Sequence, residues 1–365
     1  MKKIFIFIII MFIGLGSCAN ENLIFPAQRG LVTAVEYVDL VDSAKQIVNV
    51  KLLTGQFKGQ EIELDNMLTD NPIYDIFLKA GDRVILHQEA SDAFIEDING
   101  VDFFIADIER VNAIYFLVAV FCFLLFFIGR KKGVMSFISI LATVALIFWL
   151  LVPMILSGIC PILAVLIVSV LSTIITIYSV GGFNYKSTSA IIGTVLCLVI
   201  SATLSIITIA LASLTGFIGE ESSFLYATRP DLSFLGILCA SIMLASLGAV
   251  MDVAVSIAST VNEIYTTDNG LTVKDLFKSG MNVGKDIIGT MSNTLILVYI
   301  GSSLPLVLLS NNIDAVKFFN LNLVVTEISS ALIGSISILA CVPLTAVISA
   351  FLIKTKSTNE IELAK

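Results

Sequence analysis

From residue 111 onward, long apolar runs alternate with short polar breaks. The first 110 residues do not show this pattern. The runs are Val111–Ile128, Val134–Leu151, Ile159–Val180, Thr188–Leu211, Leu232–Ala258, Ile287–Leu309 and Leu323–Ile353. Each is close to the ~20 residues a helix needs to cross ~30 Å of hydrocarbon. They predict seven membrane helices over residues 111–353, followed by a short tail at 354–365. Residues 21–110 instead carry brief β-branched stretches at Gly30–Leu40, Ile47–Leu53, Glu61–Leu64, Arg83–His87 and Phe103–Ile108. Gly55, Gly59, Gly81 and Asn99-Gly100 punctuate them as turns. With a short helix at Asn71–Lys79, five such strands predict a small barrel of OB-like type, with an SH3-like barrel as the alternative. Residues 1–20 place Lys2 and Lys3 before the apolar Ile4–Leu15, which is the grammar of a signal peptide. Leu15-Gly16-Ser17-Cys18 resembles a bacterial lipobox, in which Cys18 would be lipidated; an uncleaved signal anchor is the other reading. The expected fold is thus an all-α polytopic membrane bundle, with a signal or anchor segment and a small extracytoplasmic β domain.

Composition agrees with the pattern. The 365 residues are 57% hydrophobic and 14% charged, and the mean hydropathy is +0.98. A soluble domain is nearer half apolar and a quarter charged. Residues 19–110 hold 17 acids and seven bases, a formal −10, which leaves +2 for the remainder of a chain totalling −8. So acidic a region argues against nucleic acid as a partner. The bilayer itself, unidentified proteins and a second copy of the chain remain as partners. Arg130-Lys131-Lys132, Lys186, the group Lys274, Lys278 and Lys285, and the pair Lys354 and Lys356 mark every second connection, whereas the alternate loops hold only Arg229 and Lys317. The positive-inside rule then puts those basic loops and the C-terminus in the cytoplasm of a bacterial cell, and the β domain outside.

The six cysteines and the single histidine, His87, fit no metal-binding spacing. No metal or cofactor is expected. Intramembrane hydrolases need paired aspartates, a serine with its base or metal-binding histidines. The spans contain none of these sets, so no enzyme is expected either.

Polar residues inside the apolar runs are the candidate chemistry. In Leu232–Tyr265, Asp252, Ser256, Ser259 and Glu263 recur at spacings of four, three and four, which places them on one helical face with Asn262 beside them. Ala245 and Gly248 continue that face with small residues. A carboxylate in hydrocarbon is costly unless it meets protein, water or a proton. This face is therefore expected to be buried in the bundle. In the sixth run Asp286, Thr290 and Asn293 share a face at a depth similar to that of Asp252, so the two faces are expected to meet. Glu327 enters the last span from outside, as a secondary site. Thr272-Val273-Lys274-Asp275 resembles a capping box and predicts a short helix lying on the inner membrane face before the sixth span. Ser189, Gly193, Cys197, Ser201 and Ser205 form a small-residue seam suited to close helix packing.

Gly181-Gly182-Phe183-Asn184, LGAVMDVAVSIASTVNEI at Leu247–Ile264, GMNVGKDIIGTMSNTLILVYIG at Gly280–Gly301, and the Thr54-Gly55 and Lys58-Gly59 pairs resemble the YibE/F family of bacterial membrane proteins. The resemblance implies a multi-pass inner-membrane protein and leaves its activity open. Two function classes compete. In one, the chain is a transporter or ion-coupled translocation component with Asp252 as the titrating group. In the other, it is a non-transporting accessory protein in which Asp252 only holds helices together and the outer domain binds a partner.

Overall fold

The computed structural model describes residues 27–39, 44–69, 71, 75–90 and 101–363. Cys18 and the Asn99-Gly100 turn lie outside them. The chain divides into two compact units, Met1–Leu125 and Phe126–Lys365.

Among its described residues the first unit has five antiparallel strands, β1 (Gln28–Asp39), β2 (Ala44–Leu52), β3 (Glu61–Leu68), β4 (Arg83–Ala90) and β5 (Val101–Ile108). Their order is β3-β2-β1-β4-β5, a curved half-barrel whose edges are β3 and β5. Alternation sets the inside face: Gln46, Val48, Val50 and Leu52 of β2 point inward, and Val32, Val84 and Leu86 meet them from the neighbouring strands. A bulge between Val32 and Ala34 adds curvature to β1.

The helix expected over Asn71–Lys79 does not form at residue 71 or at 75–79. The buried Gln46 side chain takes its place as partner. Gln46 Nε2 donates to Leu78 O, and Leu78 N donates to Gln46 Oε1, both at 3.1 Å. Asn66 Nδ2 bridges Gln46 Oε1 and Ile76 O at 3.0 and 2.7 Å. These bonds tie Ile76 and Leu78 to β2 and β3, and Leu78 joins the core. Gln46→Ala strands both Leu78 backbone groups in an apolar interior. It is expected to cost about 1–3 kcal/mol, read as a lower melting temperature of the purified full chain, and Gln46→Glu should recover only part of the loss.

The second unit is helical. The helix α1 (Val111–Leu146), which begins in the first unit, is interrupted at Arg130, whose backbone is non-helical at φ 46°, ψ −123°. A π-helical turn, Ile147–Leu151, leads into α2 (Val152–Leu156). There follow α3 (Pro161–Gly181), α4 (Tyr185–Leu211), α5 (Gly219–Thr228), α6 (Phe234–Thr267), α7 (Val273–Ser302), α8 (Leu304–Leu309), α9 (Ala315–Phe319) and α10 (Asn322–Leu363). By length and composition five helices among the described residues can cross a membrane, or six if the bent pair α7 and α8 counts as one span. The segments expected at Ile159–Val180, Thr188–Leu211, Leu232–Ala258 and Leu323–Ile353 correspond to α3, α4, α6 and α10.

The packed centre is α4, α6, α7 and α10, and small residues bring it together. The predicted seam of α4 is buried: Ser201 Oγ lies 3.2 Å from Ser246 Oγ of α6, and Gly193 backs directly onto Thr345 of α10. Cys341 of α10 donates to Val250 O of α6 at 3.5 Å. In α7, Gly280 sits against Val261 and Ala346, and Gly284 against Val342.

Two expectations fail around α7. The Thr272–Asp275 capping box forms, with both reciprocal bonds present, but the helix it starts runs unbroken to Ser302. Its apolar stripe does not lie on a membrane face, because Leu276 and Gly280 are buried against α6 and α10. The sixth span then breaks with a 72° bend at Ser303. Pro305 explains the position, since it lacks an N–H and its ring would strike the carbonyl of Gly301 in a continuous helix.

Candidate functional site

The helix α6 starts at Ser233, whose hydroxyl accepts from Gly236 N at 3.2 Å, and its 34 residues extend about 51 Å. Its buried side is apolar: Val250, Val253, Ala254, Ile257, Ala258 and Val261 are all fully enclosed. The Asp252 face is the opposite one, and neighbouring helices do not bury it as expected. Asp252 and Ser256 are exposed and Ser259 is half-buried. Ala245 and Gly248 are exposed as well, and a Cβ built on Gly248 meets nothing within 4 Å. The physical reason lies in the competing faces. The Val250–Val261 side offers small apolar surface that α4, α7 and α10 can approach closely, whereas burying a carboxylate would cost its hydration.

Asp252, Ser256 and Ser259 line a cavity of about 550 Å³. Its other walls are Lys132, Ser136 and Ser139 from the second half of α1, Thr176 and Gly181 from α3, and Lys186, Ser187 and Ala190 from the start of α4. Among the described residues, no side chain hydrogen-bonds to the Asp252 carboxylate or pairs with it. Ser256 Oγ donates to Asp252 O at 2.8 Å, along its own helix, and so does not engage the carboxylate.

The Gly181-Gly182-Phe183-Asn184 turn joins α3 to α4 beside the cavity, and Gly181 lines it. Gly182 sits at φ 75°, a left-handed conformation that favours glycine. Asn184 Nδ2 donates to Gly181 O at 2.7 Å, while Asn184 Oδ1 accepts from Ser187 N at 2.8 Å and caps α4. Phe183 stacks on Tyr178, with centroids 4.4 Å apart. The turn aims the first residues of α4 at the cavity. Ser187 is 2% exposed, and its hydroxyl has no protein partner among the described residues. The cavity therefore combines one carboxylate, several hydroxyls, two lysines and the positive end of α4.

Of the residues singled out in sequence, the structure brings together Asp252, Ser256 and Ser259. Asn262 is half-buried and Glu263 exposed, and neither lines the cavity. Asp286, Thr290 and Asn293 do not meet Asp252. All three are exposed on α7, whereas Leu276, Gly280 and Gly284 of the same helix are buried. The pairing of Asp252 with Asn293 is thus corrected. Glu327 belongs to a second cleft.

Lys132, Ser136, Ser139, Thr176 and Ser187 escaped the sequence reading. Lys132, Ser136 and Ser139 had a detectable signal: spacings of four and three put them on one face.

Two family models match the chain. The YibE/F-like protein model covers residues 117–355, more than half of the chain. The YibE/F family N-terminal domain model covers residues 36–101. No curated protein and no solved structure matches.

Proposed function

The chain belongs to the YibE/F-like family, and from that premise we propose that it is an ion-coupled transporter or translocation component in which Asp252 takes up and releases a proton. The observation that carries this reading is the cavity itself. A lone carboxylate on a membrane helix, facing a space lined by hydroxyls and by Lys132 and Lys186 and bonded to no side chain among the described residues, has the layout of an ion pathway rather than of a helix–helix bond.

The membrane arrangement proposed with it has seven spans. Val111–Leu156 is 46 residues long, about 69 Å as one helix, more than twice the hydrocarbon thickness. Dividing it at Arg130, and counting α7 with α8, gives seven crossings. The basic loops at Arg130–Lys132, Lys186 and Lys274–Lys285 then face the cytoplasm, and the β domain lies outside with the loops that hold Arg229 and Lys317.

A cysteine-labelling experiment tests both the pathway and the arrangement, once the native cysteines are replaced. With an impermeant maleimide on intact cells, Glu61→Cys is expected to label, and Lys278→Cys only after permeabilisation. The reverse pattern inverts the orientation. Ser256→Cys is expected to react with a small hydrophilic thiol reagent in membranes much faster than Leu235→Cys, an exposed apolar position on the same helix. Equal and slow reaction would mean that no water reaches Asp252.

The accessory-protein reading draws on a different feature, the acidic β domain with its edge strands β3 and β5, which could receive a partner strand. It predicts that neutralising Asp252 leaves function intact.

A further inference from the structure

A second cleft, of about 570 Å³, lies between the end of α7, the short helices α8 and α9, and the start of α10. The 72° bend at Ser303 opens it, because α8 leaves the axis that α7 follows along α10. Its walls are overwhelmingly apolar, Ile296, Leu306, Val307, Phe318, Ile328 and Leu332 among them. Glu327 is the one charged residue in the lining, with Tyr299 and Ser303 beside its carboxylate.

The cleft is remote from the Asp252 cavity. Cys341 marks the level of Val250, and Glu327 lies 14 residues back along α10, about 21 Å away at 1.5 Å per residue.

Three features fix the chemistry of an occupant. Glu327 forms no ion pair among the described residues, so the protein leaves its charge unbalanced and a cationic occupant can balance it. In apolar surroundings a carboxylate attracts a cation far more strongly than in water, and it repels phosphate and carboxylate headgroups. A metal ion needs several oxygen or nitrogen ligands, and no cluster of His, Cys, Asp and Glu able to hold one occurs among the described residues. The remaining lining is apolar and aromatic, with Tyr299, Phe318 and Phe319 placed to contact a dispersed positive charge. The volume is within the range typical of small-molecule sites.

We propose that this cleft binds a lipophilic organic cation, with its charge against Glu327 and its apolar body among the walls of α7, α8 and α10. The proposal does not depend on the role of Asp252.

Tetraphenylphosphonium and tetraphenylborate, nearly identical in shape and opposite in charge, test it by saturable binding to the full chain in nanodiscs, measured over protein-free nanodiscs. The cation is expected to bind saturably and the anion not. Glu327→Gln should weaken the cation by about tenfold or more, while Glu220→Gln, an exposed acid on α5, should leave it unchanged. An unaltered size-exclusion profile for Glu327→Gln shows that the loss is not one of folding. Equal binding of both ions would make the cleft a non-selective apolar surface. Absent cation binding, or binding equal in Glu327→Gln, would overturn the proposal.

Discussion

Asp252→Asn is expected to abolish proton movement through the reconstituted protein. In vesicles loaded with a pH-sensitive dye and given an imposed proton gradient, the wild-type chain should raise the flux above that of protein-free vesicles. The Asn variant should fall to the protein-free level, a loss on the order of 100-fold or more, as for removal of a positioned proton carrier. Asn keeps the size and hydrogen-bonding capacity of Asp but cannot titrate. Packing should hold, because the Asp252 side chain opens on the cavity and the buried side of α6 is formed by Val250, Ala254, Ile257 and Val261. Asp252→Glu should retain part of the flux. A wild-type flux equal to the protein-free one, or an Asn variant as active as wild type, sinks the relay and leaves the accessory reading.

Gly284→Leu is expected to destabilise the bundle by about 3 kcal/mol or more, the upper end for overfilling a packed interior. A Cβ at Gly284 would collide with Val342 Cγ1 and meet Val342 Cβ at 3.2 Å. One turn earlier, a Cβ at Gly280 would lie 2.9 Å from Val261 Cγ2. Lipid gives no hydrophobic drive to hold helices together, so close backbone approach is the main source of affinity there. A leucine must push α7 off α10, with loss of monodisperse protein and a lower melting midpoint. Gly289→Leu is the matched control on the same helix: nothing lies within 4 Å of a Cβ there and the position is exposed. Equal behaviour of the two variants would mean that the α7–α10 seam is not set by glycine.

Much of the fold is legible in the sequence because it depends on local rules. Apolar runs of adequate length became α3, α4, α6 and α10. Period-two alternation became β2, and the Thr272–Asp275 box became a helix start. The small-residue seam of α4 is buried as its spacing predicted. The failures occur where distant packing decides. The chain from Thr272 reads as a short helix separate from the sixth span, yet α7 runs through both and packs Gly280 and Gly284 against α6 and α10. Asn71–Lys79 reads as a helix, yet Gln46, more than 20 residues away, claims its backbone groups. The Asp252 face is identifiable by spacing alone. Whether such a face meets protein or an open cavity is decided by α1, α3 and α4, whose contributions Lys132, Thr176 and Ser187 lie far from it in sequence. Asp286, Thr290 and Asn293 are exposed on α7, while Asp252 faces a cavity lined by α1, α3 and α4 instead.

The most direct test of the central claim is infrared spectroscopy of the protein in lipid, titrated through neutrality, with the Asp252→Asn spectra subtracted from those of the wild type. A proton-carrying Asp252 predicts a carboxylic-acid C=O stretch that appears on acidification, is lost on alkalisation and is missing from the Asn variant. A spectrum in which no carboxyl band titrates, or one in which the band persists after Asp252→Asn, would contradict the account.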